Sequence, residues 1–221
     1  MTEGGLSVRV EACVTSVAEA HAAYEAGAGR LELCHRLEVG GLTPSEAMTR
    51  EVAEAVPVPV YAMIRPRADD DCARAGEVET MLISIERLAD AGAAGFVVGL
   101  LDGDRSVDEV AVAELVHAAG SRPVTFHRAF DEVRDRAAAV ESLARLGVAR
   151  VLTSGGAETA WAGRAELRRM VDAAPPGISI LPGGRVRGDH VRGLVAWTAV
   201  REVHARASGV AGVCRALRGA G

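Results

Sequence analysis

Three segments of the chain repeat one short pattern: Glu11 and Cys13 in VEACV, Glu32 and Cys34 in LELC, and Glu202 and His204 in EVH. Each places a carboxylate two residues before a thiol or an imidazole, inside a run of apolar residues. Residues i and i+2 of a β-strand share one face, so each pair falls on one side of its strand. By the same rule TFHRAFD pairs Thr125 with His127, and MIRPR pairs Met63 with Arg65. Two kinds of chemistry suit such a set. Glutamate and histidine held together can move protons, and two thiolates meeting at one point suit a soft cation such as Cu(I).

The elements that position these residues follow from three joints, EAGAGRLELC, DAGAAGFVVGL and ARLGVARVLTSG, where a helical pattern meets Gly27, Gly92 or Gly147 shortly before an apolar run. Such a glycine suits the left-handed position that stops a helix, and a strand follows at once. Reading outward gives strands near 8–13, 30–34, 59–65, 95–99, 123–127, 149–153, 178–181 and 201–204. Helical patterns fall near 16–26, 44–55, 76–91, 106–118, 135–146, 157–173 and 187–197, and SGVAGVCRALRGAG supplies a closing element. This alternation predicts an α/β fold, a small (β/α)8 TIM-type barrel with a short or incomplete last helix, over residues 1–221 as a single domain. A doubly wound open sheet is the rival, but CVTSVAEA stands where its phosphate-binding G-x-G-x-x-G belongs.

Barrels collect their chemistry at the carboxyl ends of the strands, and the paired residues above lie there. The candidate proton-transfer and anion-binding residues are His127, Arg65, Glu32, Glu11, Glu202, His204, Arg128 and Asp131. Strands eight, one and two are neighbours in a closed barrel, so the glutamates crowd together and must be paired or protonated. Arg65, Arg128, His127 and His204 are the partners expected for them. His127 is expected to face the barrel mouth, near Arg65 and at least one of Glu11, Glu32 and Glu202, with Arg128 or Asp131 turning into the rim. On an enzymatic reading Arg65 and Arg128 clamp a small anionic or phosphorylated metabolite while His127 or Glu32 serves as acid or base. The competing reading is a structural ion-pair network that closes the barrel top.

Glycines after strands seven and eight, in LPGGR and ASG, mark Gly183, Gly184, Ser208 and Gly209 as a candidate phosphate site, or simply tight turns. Cys13 and Cys34 are the candidate Cu(I) ligands, against the alternative that they pack as small apolar groups. Cys72 lies in the loop ADDDCARAG, and Cys214 falls in the closing element. His35 is either a further ligand or a solvated loop residue, whereas His21, His117 and His190 lie on helical stretches.

Composition narrows the rest. A net charge of -5 and an aromatic content of 3% argue against a nucleic-acid partner. No apolar run approaches the length of a membrane helix, and the first residues carry no signal-peptide pattern, so a cytoplasmic location is expected. Four cysteines are too few to staple a chain this long, and reduced thiols are the default. All 25 basic side chains are arginine, which rules out Schiff-base chemistry and pyridoxal-phosphate attachment.

The stretches VEACVTS, RLELC, GGLTPS, MIRPR, GLLD, TFHRAFD, RVLTSGG and EVH, in this order, resemble the CutC family of copper homeostasis proteins. The resemblance implies a (β/α)8 barrel, cytoplasmic copper handling with Cys13 and Cys34 as Cu(I) ligands, and homo-oligomers. The chain departs from the family pattern at His35 and Arg36, in LPGGRVR, and in a shorter segment after EVH.

Overall fold

The structure is a computed structural model and describes residues 8–219. Eight short strands alternate with eight helices: β1 (Arg9–Val14), α1 (Val17–Ala26), β2 (Arg30–Leu33), α2 (Glu46–Ala55), β3 (Val60–Met63), α3 (Glu77–Asp90), β4 (Gly95–Val98) and α4 (Glu109–Ala119) form the first half. The second half is β5 (Val124–Phe126), α5 (Arg136–Arg145), β6 (Arg150–Thr153), α6 (Arg164–Ala173), β7 (Ser179–Pro182), α7 (Val191–Thr198), β8 (Glu202–Arg206) and α8 (Ala207–Arg218). All strands are parallel, in the order β7-β6-β5-β4-β3-β2-β1-β8.

The pairing of β1 with β8 is what a barrel demands and an open doubly wound sheet lacks. The seam falls between β7 and β8, which pack without a hydrogen-bond ladder among the described residues. Gly183, just past β7, lies so near β8 that a Cβ there would be 3.5 Å from the Cβ of His204.

Local chemistry explains the boundaries. Ser16, Ser45, Asp108 and Asp135 each accept an N–H from the first turn of the helix they precede. Gly27, Gly92 and Gly147 all have φ near +90°, the left-handed stop expected at the αβ joints. Helix α6 begins at Arg164 rather than 157, because the segment before it turns to donate the Ala160 N–H to Gly184 O. Helix α8 stops at Arg218, yet its three turns cover β1 and β8 and reach α1. Ala207–Gly209, expected as a loop, is its first turn.

Strand parity divides the core in two. Val10, Ala12 and Val14 of β1 face the large apolar layer under the helices, while Cys13 turns inward to join Cys34, Tyr61, Met63 and Val97 inside the barrel. The interior is therefore partly apolar and, one step lower, strongly charged. No helix among the described residues is long and apolar enough to cross a membrane.

Candidate functional site at the barrel mouth

The interior carboxylates take their counter-ions from residues that strand-end reasoning passed over. Glu11 accepts from Nε of Arg30, and the Nη2 of Arg30 donates to Glu202 at 2.8 Å. The Nε of Arg150 adds a second positive group 3.4 Å from Glu202. Both guanidinium groups lie 5.2 Å from the centre of the Tyr61 ring, whose face favours cations. Arg65 and Arg128, expected to neutralise these glutamates, pair instead with Asp71 and Asp131. The physical reason is register: Glu11 lies beside Arg30 in the β1–β2 ladder, so the nearest cation is at the start of β2.

Above this layer His204 bridges two carboxylates. Its Nδ1 donates to Glu11 Oε1 at 2.8 Å, and its Nε2 is 4.0 Å from Glu32 Oε1. Burial opposes the charge on Glu11, yet His204 and Arg30 together hold it down at about 2. Glu32 is shifted the other way, above the usual carboxylate range, chiefly by burial. Burial also opposes the imidazolium of His204, but Glu32 and Glu11 outweigh it and raise its pKa. Glu11 is thus ionised, while Glu32 and His204 are both shifted toward their protonated forms.

Cys13 and Cys34 meet beside this pair. Their sulfurs are 3.7 Å apart, and both residues are 1% exposed. The hydrogen bond between them, together with burial, pushes the Cys13 thiol well above its ordinary value. One donor atom each from Cys13, Glu32 and His204 falls within 4.8 Å of the others, so thiol, carboxyl and imidazole converge. His35 is exposed and held by backbone bonds to Leu42, and Cys72 lies near the carbonyl of Asp102.

His127 closes another part of the mouth. Its Nδ1 accepts the Ala129 N–H, which starts a short 3-10 turn over Arg128–Glu132. Its ring lies over Gly99, where a Cβ would come within 2.3 Å of it. The carboxylate beside it is Asp71, at 3.8 Å, and not Glu11, Glu32 or Glu202 as the parity reading had expected. Burial drops its pKa to about 4, with Asp71 opposing and Arg65 assisting. His127 is therefore a neutral imidazole at ordinary pH.

Asp131 does turn toward β6, and there it serves as a brace. It accepts from Thr153, from the hydroxyl and backbone N–H of Ser154, from the Gly156 N–H and from Arg128. Arg128 also donates to the Ser154 hydroxyl. The two glycine segments differ. Gly183 is packed, since a Cβ there would strike Leu152 at 2.4 Å, while Gly184 has φ +97° and lies beside Ser154 and Arg128. Ser208 and Gly209 are in the first turn of α8, with Gly209 facing the carbonyl of Val186.

Arg30, Arg150, Tyr61 and Asp71 were not among the residues singled out from the sequence. Arg30 shares strand parity with Glu32 and Cys34, so a signal was there; Asp71, in an acidic loop, offered no periodicity.

A parallel (β/α)8 barrel whose carboxyl-end mouth gathers thiols, carboxylates and imidazole defines the class of protein. The sequence profile of the CutC family matches residues 8–209, and the chain belongs to that family. A CutC family protein of Xanthomonas campestris pv. campestris is 42% identical over 200 residues, 90% of this chain and 83% of that protein. A Streptococcus agalactiae CutC structure, named for copper homeostasis, superposes with TM-score 0.85 at 27% identity, over 89% of this chain and 97% of that one. Thiamine phosphate pyrophosphorylase from Pyrococcus furiosus, at 12% identity and TM-score 0.65, covers 96% of each chain and shares the fold alone.

Proposed function

We propose that this chain binds Cu(I) through Cys13 and Cys34, with Glu32 and His204 completing the surroundings of the ion. The observation that carries the reading is the 3.7 Å approach of the two sulfurs. Metal–thiolate bonds of about 2.3 Å, the length found for zinc, can meet on one ion across that gap. Soft thiolates select Cu(I), and the copper homeostasis name of the Streptococcus agalactiae relative points the same way. Metal binding takes thiolate, and the Cys13 thiol is pushed well above its ordinary value, so binding must release a proton there and affinity should rise with pH. The reading includes a reducing, cytoplasmic setting and a homo-oligomeric assembly; the four cysteines are all free.

A competition titration with a Cu(I) chelator under reducing conditions tests it. The Cys13→Ser, Cys34→Ser double variant, checked for its fold by circular dichroism, should lose high-affinity binding. Glu32→Gln should lose about 10–100-fold, the usual effect of a group that supports a metal ligand. Unchanged affinity in the double variant overturns the proposal.

One observation favours a second reading, an enzyme acting on a small anionic or phosphorylated metabolite. The Oε2 of Glu32 is buried with no hydrogen-bond partner, on a carboxyl whose pKa is raised, beside an imidazole whose pKa is also raised. That is the arrangement of a general acid and base awaiting a reacting group.

A further inference from the structure

We propose that Arg65 and His127 form a binding site for the carboxylate of a small organic acid at the barrel mouth, and that the side chain of Asp71 stands in that site in place of the ligand. The inference deepens the enzymatic reading by naming the group that holds the substrate, and it uses none of the metal-site residues.

The starting observation is an unmade hydrogen bond. His127 is only 5% exposed, and its Nε2 has no partner. Its Nδ1 accepts the Ala129 N–H, so the neutral ring carries its proton on Nε2 as a donor. A buried donor left unpaired is costly, and such groups in native proteins call for an explanation. Asp71 supplies part of one. Its Oδ1 accepts from Arg65 Nε at 2.9 Å and approaches His127 Nε2 only to 3.8 Å, beyond hydrogen-bond range. The carboxylate is tethered to its own loop and satisfies one donor of two. A free carboxylate has two oxygens, one for each donor.

The site is built to keep its shape when Asp71 leaves. Nη1 of Arg65 donates to the carbonyls of Val39 and Gly41, and its backbone N–H to the Thr43 hydroxyl, so the guanidinium stays put. Gly99 provides the space under the imidazole. The Asp71 backbone is fixed by the Leu101 N–H, which donates to its carbonyl at 2.9 Å. Its side chain is 12% exposed, and in the proposal it leaves by rotating toward solvent. A cation is disfavoured beside Arg65. One guanidinium N–H and one imidazole N–H match a single negative charge better than a phosphate dianion.

Isothermal titration of the intact chain, stripped of metal and then desalted free of chelator, tests the proposal using acetate and inorganic phosphate as probes. Asp71→Ala should bind acetate at least about tenfold more tightly than the parent, since the internal competitor is gone. Adding His127→Phe, which has no donor, to that variant should abolish the gain. If Asp71→Ala fails to fold, Asp71→Asn, which can still accept from Arg65, should show a smaller gain of the same sign. No gain in a folded variant, or a gain that survives His127→Phe in a folded protein, overturns the proposal. A larger gain for phosphate than for acetate overturns the assignment of the ligand as a carboxylate. The metal-free protein and the absence of any turnover readout keep these outcomes separate from failure of the copper or enzymatic readings.

Discussion

Replacing Arg30 by methionine is expected to lower the unfolding free energy by about 3–5 kcal/mol, because it strands charge inside the barrel. Arg30 is 1% exposed and serves Glu11 and Glu202 at once, and Glu11 is itself 0% exposed. With the guanidinium gone, Glu11 retains only His204, and Glu202 retains Arg150 at 3.4 Å. For a chain of this size the loss corresponds to a fall in Tm of about 10 °C. Adding Glu11→Gln should recover most of it, since removing both members of a buried pair is far less damaging than removing one. Urea unfolding of parent, single and double variants measures all three values. A single variant within about 1 kcal/mol of the parent would show that the interior network does not hold the barrel.

The second large effect is a loss of stability in mild acid that belongs to His127. Its folded pKa, about 4, lies below the ordinary 6.5 because the ring is buried beside Arg65. Between those values the unfolded chain binds a proton that the folded chain refuses, so stability falls as pH drops from 6.5 to 4. The gap corresponds to about 3 kcal/mol. Other groups act in different windows or with the opposite sign. Glu11, held at about 2, destabilises only below the ordinary carboxylate range. Glu32, raised, contributes stability at low pH that is lost as pH rises, and His204, also raised, contributes stability below 6.5 that fades above it. Comparing parent with His127→Gln cancels these shared contributions. Glutamine can still accept the Ala129 N–H but does not titrate. Unfolding curves at several pH values should show the parent losing about 3 kcal/mol more than the variant between pH 7 and 4. Parallel pH profiles would contradict the buried, neutral imidazole.

The barrel was legible because its signals are local. A glycine stop before an apolar run, repeated at Gly27, Gly92 and Gly147, is a matter of backbone conformation and survives any tertiary context. Strand parity likewise placed Cys13 and Cys34 inside, along with Glu11, Glu32 and His204. What parity could not supply was stagger between strands. In the β1–β2 ladder Cys13 lies opposite Glu32 and not opposite Cys34. The same stagger set Arg30 against Glu11 and left Arg65 free for Asp71. Asp71 belongs to a loop whose path follows from its backbone bond to Leu101, a contact between distant parts of the chain that no periodic pattern records. The glycines after β7 show the limit of motif reading: Gly183 is required by packing against Leu152.

In the proposed function the two buried thiols of Cys13 and Cys34 are the primary ligands of the metal. X-ray absorption at the copper edge, on the intact chain loaded with one equivalent of Cu(I) under reducing conditions, tests it most directly. The expected result is a sulfur shell of two scatterers at about 2.3 Å, comparable to other metal–thiolate bonds, which disappears in the Cys13→Ser, Cys34→Ser variant. A first shell composed only of nitrogen and oxygen, or a sulfur shell that persists in that variant, would contradict it.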